Sequence, residues 1–332
     1  MAPRWFKLAA ACLGMAALGF SAQPSFAQAA GKRVAVFMGP TQDKYLGALS
    51  KSFEAKATEL GMKVTIFSSP FDPALQAQQI DDAVAQKYDF LVVQIISQRA
   101  ILPTLARVKA ANIPVTLVVV PMVGNEGHAQ DLFLNYVGYD DVVFGRMIGE
   151  ATVKALKDAG KSKAKIAILA GSMQEGKAPL REKAFREAVA KTSNMEVVAT
   201  EDVKWNPAVG ERVAGQLLAR FAGQGGLDAI YGMNDSIANG AIQAAAAAGF
   251  APGTGAKNLI VVGGNCQAPG VKNIEAGKQA ATIFMLPSEE GKQAAIKVKE
   301  YFEGKKPEKI TFLPTDTVTK ANIAKYAAPC TY

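Results

Sequence analysis

Apolar and polar positions fall along this chain in blocks. A short run of β-branched and aliphatic residues ends in a polar or glycine-bearing turn, and an amphipathic stretch follows. Residues 229–249 show the unit clearly: Ala229-Ile230-Tyr231-Gly232 is apolar, Asn234-Asp235-Ser236 is polar, and an Ala- and Ile-rich stretch runs to Gly249. The pattern predicts a buried strand, a sharp turn and a helix capped by Asp235 or Ser236.

The same unit repeats from the start of the globular region. Arg33 to Met38 reads as a strand, and Leu46, Leu49, Phe53 and Ala57 form the apolar stripe of a helix that Gly61 ends. Strands are predicted at Lys63–Phe67, Phe90–Ile95 and Val115–Val120, with helices opening at Asp72-Pro73 and at Arg99. Strand and helix alternate so regularly over residues 33–120 that a parallel sheet with helices on both faces is expected. The rhythm breaks at Pro121 to Leu132, read as loop, and Asn135 to Asp140 leads into a long helix. A second series follows: strands at Lys165–Leu169, Val197–Thr200, Ala229–Gly232, Leu259–Val262 and Ala280–Phe284, with helices from Ala178, Ala208 and Asp235 between them. A last helix, Ser288 to Phe302, comes after the second series is complete, so it is expected to return to the first lobe. The fold class is therefore α/β, with two Rossmann-like αβα lobes.

The N-terminus stands apart from this pattern. Arg4 and Lys7 precede an apolar run from Leu8 to Phe20, and Ser25-Phe26-Ala27 offers small residues at a cleavage site. Residues 1–27 are expected to be a secretory signal peptide, and Cys12 belongs to its apolar region. Loss of Arg4 and Lys7 takes the formal charge from +8 to +6. The remaining lysines are scattered over helices with no interleaved aromatics, which speaks against nucleic acid as a partner. Cys266 and Cys330 remain in the mature chain, and an oxidising compartment permits a disulfide between them or leaves two free thiols.

The motifs that would mark an enzyme are missing. No Gly-x-Gly-x-x-Gly follows a strand, and Gly253-Thr254-Gly255-Ala256-Lys257 is too short for a phosphate loop. His128, the single histidine, has no nucleophile in view and reads as a solvated loop residue. The two cysteines have no histidine companions for a metal. Glu289-Glu290 sits at a helix N-terminus, where the macrodipole favours carboxylates without any catalytic role. No catalytic residue, metal or cofactor is expected. Polar and aromatic residues do recur at strand ends in both halves: Asp43 and Tyr45, Gln174 and Glu175, then Trp205, Asn234 and Asn265. Ligands collect outside the carboxyl ends of parallel strands. Aromatic faces there could cover a sugar ring while amides and carboxylates bond its hydroxyls.

On these residues the chain resembles the periplasmic substrate-binding proteins of ABC importers, in particular the ribose/galactose-type sugar binders with the type I periplasmic binding fold. The resemblance rests on Tyr231-Gly-Met-Asn-Asp235 with Gly240-Ala241, Val261-Val-Gly-Gly-Asn265, Gly277 to Thr282, Ile113-Pro114-Val115 and Arg181 to Phe185. It implies stacking aromatics at Tyr45 and Trp205, a strand-end amide at Asn234, and a late ligand-binding position, usually a carboxylate, at Asn265. It also implies a hinge-strand position, usually glutamine, at Met285. The Asp-Arg pair of ribose binders is replaced by Val119-Val120, and their cleft arginine aligns near Pro179, with Arg181 two residues on and read as structural. A polyol, a cyclitol, or a deoxy- or methylated sugar is therefore expected to fit better than a plain pentose.

The expected architecture is an N-terminal lobe of residues 31–137 plus 287–312 and a C-terminal lobe of residues 138–286 plus 313–332, joined by three hinge crossings. The expected function is extracytoplasmic capture of a sugar or sugar-like polyol by a monomer in the periplasm, for delivery to an ABC transporter permease. The alternative is a periplasmic sensor that presents its ligand to a chemoreceptor or kinase.

Overall fold

The computed structural model describes residues 26–124 and 126–332. Nearly all of the expected signal peptide, including Cys12, lies outside the described residues. Among the described residues no helix is long and apolar enough to cross a membrane.

After a short helix, α1 (Phe26–Ala29), the first series runs β1 (Arg33–Met38), α2 (Lys44–Glu59), β2 (Lys63–Ser68), α3 (Pro73–Ala85), β3 (Phe90–Gln94), α4 (Gln98–Ala110), β4 (Val115–Val118) and β5 (Asn135–Gly138). The second runs α5 (Asp141–Asp158), β6 (Ala164–Ala170), α6 (Lys177–Ala190), β7 (Met195–Asp202), α7 (Pro207–Ala222), β8 (Ala229–Gly232), α8 (Asp235–Ala247), β9 (Ile260–Val262), α9 (Ala268–Glu275) and β10 (Ala281–Ile283). The chain ends with α10 (Pro287–Phe302), β11 (Ile310–Phe312), β12 (Thr317–Thr319) and α11 (Ile323–Tyr326).

Six of the helices begin where a polar side chain takes unpaired N–H groups of the first turn. Asp43, Asp72, Ser97, Asp140 and Asn206 all do so. At α8 the cap is Asn234, whose Oδ1 accepts from Ile237 N at 2.8 Å; the expected caps Asp235 and Ser236 are already helical. Asp235 is spent elsewhere, on partners far along the chain.

The strands form two sheets of six, ordered β11-β5-β4-β3-β1-β2 and β12-β10-β9-β8-β6-β7. All pairings are parallel except β10 with β12. The two short strands β11 and β12 were not legible in the hydrophobic pattern, since each has three residues with little burial contrast. The interior strand β3 is buried at all five positions, as a strand covered on both faces must be. Helices α2 and α10 pack closely on the first sheet, where a Cβ at Gly291 would stand 2.4 Å from the Leu49 carbonyl. In the second lobe α5 and α6 approach as closely, with Gly145 against the backbone of Arg181.

The chain passes between the sheets three times: from β5 to α5, from β10 to α10 and from β11 to β12. Two of these passages are tied together. The Tyr139 hydroxyl accepts from Leu286 N at 2.7 Å and donates to Leu286 O at 3.2 Å. Cys266 and Cys330 form a disulfide, with Cα atoms 5.3 Å apart. The bridge sits in a small apolar cluster with Val271, Ile274, Val318, Ile323 and Tyr326.

Candidate ligand cleft between the lobes

The carboxyl ends of both sheets point at one another. From the first lobe come the β1–α2 loop, the turn at Phe71 and the end of β3; from the second come the turns after β6, β7, β8 and β9. Together they border a cavity of about 370 Å³ between the lobes. Asp43, Tyr45, Leu46, Phe71 and Gln94 line one wall, and Glu175, Lys177, Trp205, Asn234, Asn265 and Gln267 line the other.

Of the residues singled out from the sequence, Asp43, Tyr45, Glu175, Trp205, Asn234 and Asn265 meet in this cavity. Gln174 does not. It is exposed and lines a wider groove at the cleft mouth, between Gln98, Met122 and Leu180. Met285 does not either: it is buried in the second passage, between β10 and α10, and its sulfur lies 3.6 Å from Arg181 Nη2. Its part in a site is to back a cleft residue rather than to face the cavity.

Each wall residue is held by its own local chemistry. Asp43 caps α2, accepting from Leu46 N at 3.0 Å. The Tyr45 hydroxyl donates to Glu290 Oε2 at 2.6 Å, and Glu290 Oε1 accepts from Val119 N at 2.7 Å. Glu290 is fully buried, so it is more than a carboxylate favoured by a helix dipole: it fastens a cleft aromatic to α10 and to the end of β4. Trp205 adopts a left-handed backbone, φ 58°, after Lys204 at 52°, and its Nε1 donates to Glu175 Oε2 at 2.9 Å. That turn is sharp because Asn206 caps α7 immediately after it, with Pro207 at its first position. A Cβ at Gly171 would meet the indole at 2.1 Å, which explains glycine there. Lys177 Nζ stands over the same indole, 4.6 Å from the centroid.

Behind the second wall lies Arg181, 1% exposed. Its Nε donates to Asp141 Oδ1 at 2.7 Å, and its Nη1 donates to Asn265 Oδ1 at 3.2 Å and to the Met233 carbonyl at 3.3 Å. Phe144 lies under the guanidinium at 3.7 Å. The residue is structural, as its position in the sequence implied, and it also fixes a cleft amide.

Burial sets the electrostatics. It pushes the Glu175 carboxyl up to about 7, against the pull of the Lys177 charge and the Trp205 N–H. Glu290 is raised to about 7 by burial, opposed by the bonds from Tyr45 and Val119. Asp235 is raised to about 7 by burial, although its oxygens accept from Gln279, Gln267 N and Thr282. Among the described residues no group of three or more His, Cys, Asp or Glu could hold a metal ion. His128 is a surface residue, with its side chain 84% exposed.

Sequence reasoning missed Leu46, Phe71, Gln94, Lys177 and Gln267. Gln94 had a signal, since it is the one polar residue inside the apolar run from Phe90 to Ile96. Gln267 lies two residues past Asn265. Lys177 was indistinguishable from the surface lysines, Leu46 from the core stripe, and Phe71 carried no signal. The cavity is more polar than the departures from the ribose pattern suggested, because these amides and Lys177 replace the missing pair.

Two largely parallel sheets that bring their carboxyl ends together around a polar cavity define a two-lobed small-molecule binding protein. A family model described as periplasmic binding protein domain matches residues 34–306, and the chain belongs to that family. It is 26% identical over 275 residues to the ribose import binding protein of Haemophilus influenzae, covering 83% of this chain and 87% of that protein. A periplasmic ribose ABC transporter protein of Conexibacter woesei matches with a TM-score of 0.75 at 28% identity, covering 90% of this chain and 96% of that one. A galactofuranose binding protein superposes with a TM-score of 0.82 at 20% identity over 90% of this chain and 98% of its own, a likeness of fold. These relatives are binding proteins of transport systems, not enzymes.

Proposed function

We propose that this protein captures a small sugar, or a sugar-like polyol or cyclitol, between its lobes and hands it to the membrane permease of an ABC importer. The carrying observation is the cavity itself, built from strand-end residues of both lobes and holding Tyr45, Phe71 and Trp205 among amides and carboxyls. A ligand that bonds to both walls stabilises only the shut arrangement, which makes closure a signal of loading. In this reading residues 31–137 plus 287–312 form one lobe and residues 138–286 plus 313–332 the other. Asp43, Tyr45, Glu175, Trp205, Asn234 and Asn265 contact the ligand. The protein works as a monomer in the periplasm, exported by a signal peptide cut after Ala27.

A thermal-shift screen of the mature protein tests the reading. A ligand at about 100 times its dissociation constant adds roughly 2.7 kcal/mol of stability. Sugars, polyols or cyclitols should raise the melting temperature; a shift with amino acids or peptides alone would overturn the assignment. Permease and ATPase genes beside this one support import, whereas an adjacent sensor kinase gene supports the signalling role.

A further inference from the structure

Four amides line the cavity: Gln94, Asn234, Asn265 and Gln267. The oxygen and nitrogen of an amide look alike, so its orientation is ordinarily assigned from the surrounding network. Here the partners decide it. Gln94 Oε1 accepts from Gly39 N at 2.7 Å, Asn234 Oδ1 from Ile237 N at 2.8 Å, and Gln267 Oε1 from Ser236 N at 3.0 Å. Asn265 Oδ1 accepts from Arg181 Nη1 at 3.2 Å. Backbone N–H groups and guanidinium only donate, so none of the four amides can be turned round. Each oxygen already accepts from the protein, which fixes the amide's orientation and leaves the four NH2 groups as unspent donors. Lys177 adds an ammonium with no carboxylate within 4.0 Å among the described residues, resting over the Trp205 ring.

The acceptors left for a ligand are oxygens of Asp43, Tyr45 and Glu175 and one further lone pair on amide oxygens of the same walls. One Asp43 oxygen is spent on its helix cap. The Tyr45 hydroxyl donates its hydrogen to Glu290, so it can meet a ligand only as an acceptor. Glu175 keeps one oxygen, Oε1, buried and without a partner among the described residues. Each neutral sugar hydroxyl that accepts from these N–H groups must also place its own proton on one of those oxygens. A carboxylate accepts several N–H bonds and has no proton to place.

We propose that the ligand is a sugar acid: a polyhydroxylated carboxylate whose anionic end meets Lys177 and the amide NH2 groups, while its hydroxyls donate to Glu175 Oε1 and Asp43. This rests on the sugar-binding reading above and narrows its substrate class.

Calorimetric titration of the mature, oxidised protein with matched pairs tests it: D-ribose with D-ribonate, D-glucose with D-gluconate, and D-galactose with D-galacturonate. At least one acid should bind ten-fold or more tightly than its neutral parent. Lys177→Met should weaken that acid at least ten-fold more than it weakens the parent, with the melting temperature unchanged. A neutral parent binding as tightly as its acid, or a preference that survives Lys177→Met, overturns the sugar-acid proposal and leaves sugar capture standing. If no acid binds, the proposal is also overturned; if only amino acids or peptides bind, sugar capture falls with it.

Discussion

Trp205 and Glu175 form one unit of the second wall: the indole Nε1 donates to Glu175 Oε2 at 2.9 Å, while the other carboxylate oxygen stays free and buried. The indole thereby orients a carboxyl whose charge the surroundings disfavour. Lys177 over the ring brings a cation to the same spot. The aromatic, the acid and the base of this wall are coupled, and substituting any one of them changes what the others present.

Trp205→Ala is expected to weaken ligand binding by about 1–3 kcal/mol through lost contact area and a released Glu175. Circular dichroism should show a native fold, because Trp205 sits at the margin of the apolar core. Unchanged affinity by calorimetry would remove Trp205 from the site.

The buried carboxyls make the ligand-free protein sensitive to pH. Glu175 moves from an ordinary 4.5 to about 7 on folding, so the folded state holds more protons between those values. Its contribution to stability is complete below about 4.5 and is lost as pH rises through about 7. Glu290 and Asp235 act in the same sense. Glu175→Gln removes this penalty, and the variant should be more stable than the parent at pH 8 by about 1–3 kcal/mol, with little difference near pH 4.5. Thermal melts across that range decide the matter; a variant that melts lower at pH 8 contradicts it.

Gly176→Ala targets closure. A Cβ at Gly176 would stand 2.5 Å from Gln98 Nε2 and 2.9 Å from the Pro121 carbonyl, both on the opposite lobe. Its φ of −67° suits alanine, so the backbone of its own lobe is undisturbed. The variant should melt like the parent without ligand, bind at least ten-fold more weakly, and keep a larger radius of gyration in solution scattering with ligand present. Compaction equal to the parent's would show that the loop yields.

Arg181→Met leaves Asp141 as an unpaired buried charge, which costs about 3–5 kcal/mol. Affinity should fall as well, because Asn265 loses the donor that orients it. Lysine at this position cannot restore both the Asp141 and Asn265 bonds, so Arg181→Lys should recover little of either quantity. Denaturant titration with calorimetry separates the two effects.

Cys330→Ser removes a bridge between positions 64 residues apart, worth about 4 kcal/mol by loop entropy. Cys266 lies between the cleft residues Asn265 and Gln267, so binding should weaken along with stability. The parent protein should resist alkylation until reduced, as read by intact mass; two alkylated cysteines in the unreduced protein would refute the bridge.

The sequence by itself determined the alternation of strands and helices, the return of the last long helix, and most of the residues that meet in the cleft. It could do so because burial periodicity and helix capping are local: Leu49, Phe53 and Ala57 recur within one helix, and Asn234 stands at a strand end whatever lies beyond it. Only the tertiary structure decided what depends on distant partners. Asp235 looked like a cap but bonds Gln267, Gln279 and Thr282, up to 47 residues away. Glu290 looked like a carboxylate favoured by the helix macrodipole but holds Tyr45 across 245 residues. The pairing of Cys266 with Cys330 and the strands β11 and β12 likewise exist only once the chain has crossed between lobes. A single sequence records which side chains are polar; which of their atoms remain unpaired, and so free for a ligand, is fixed by partners that folding brings from elsewhere.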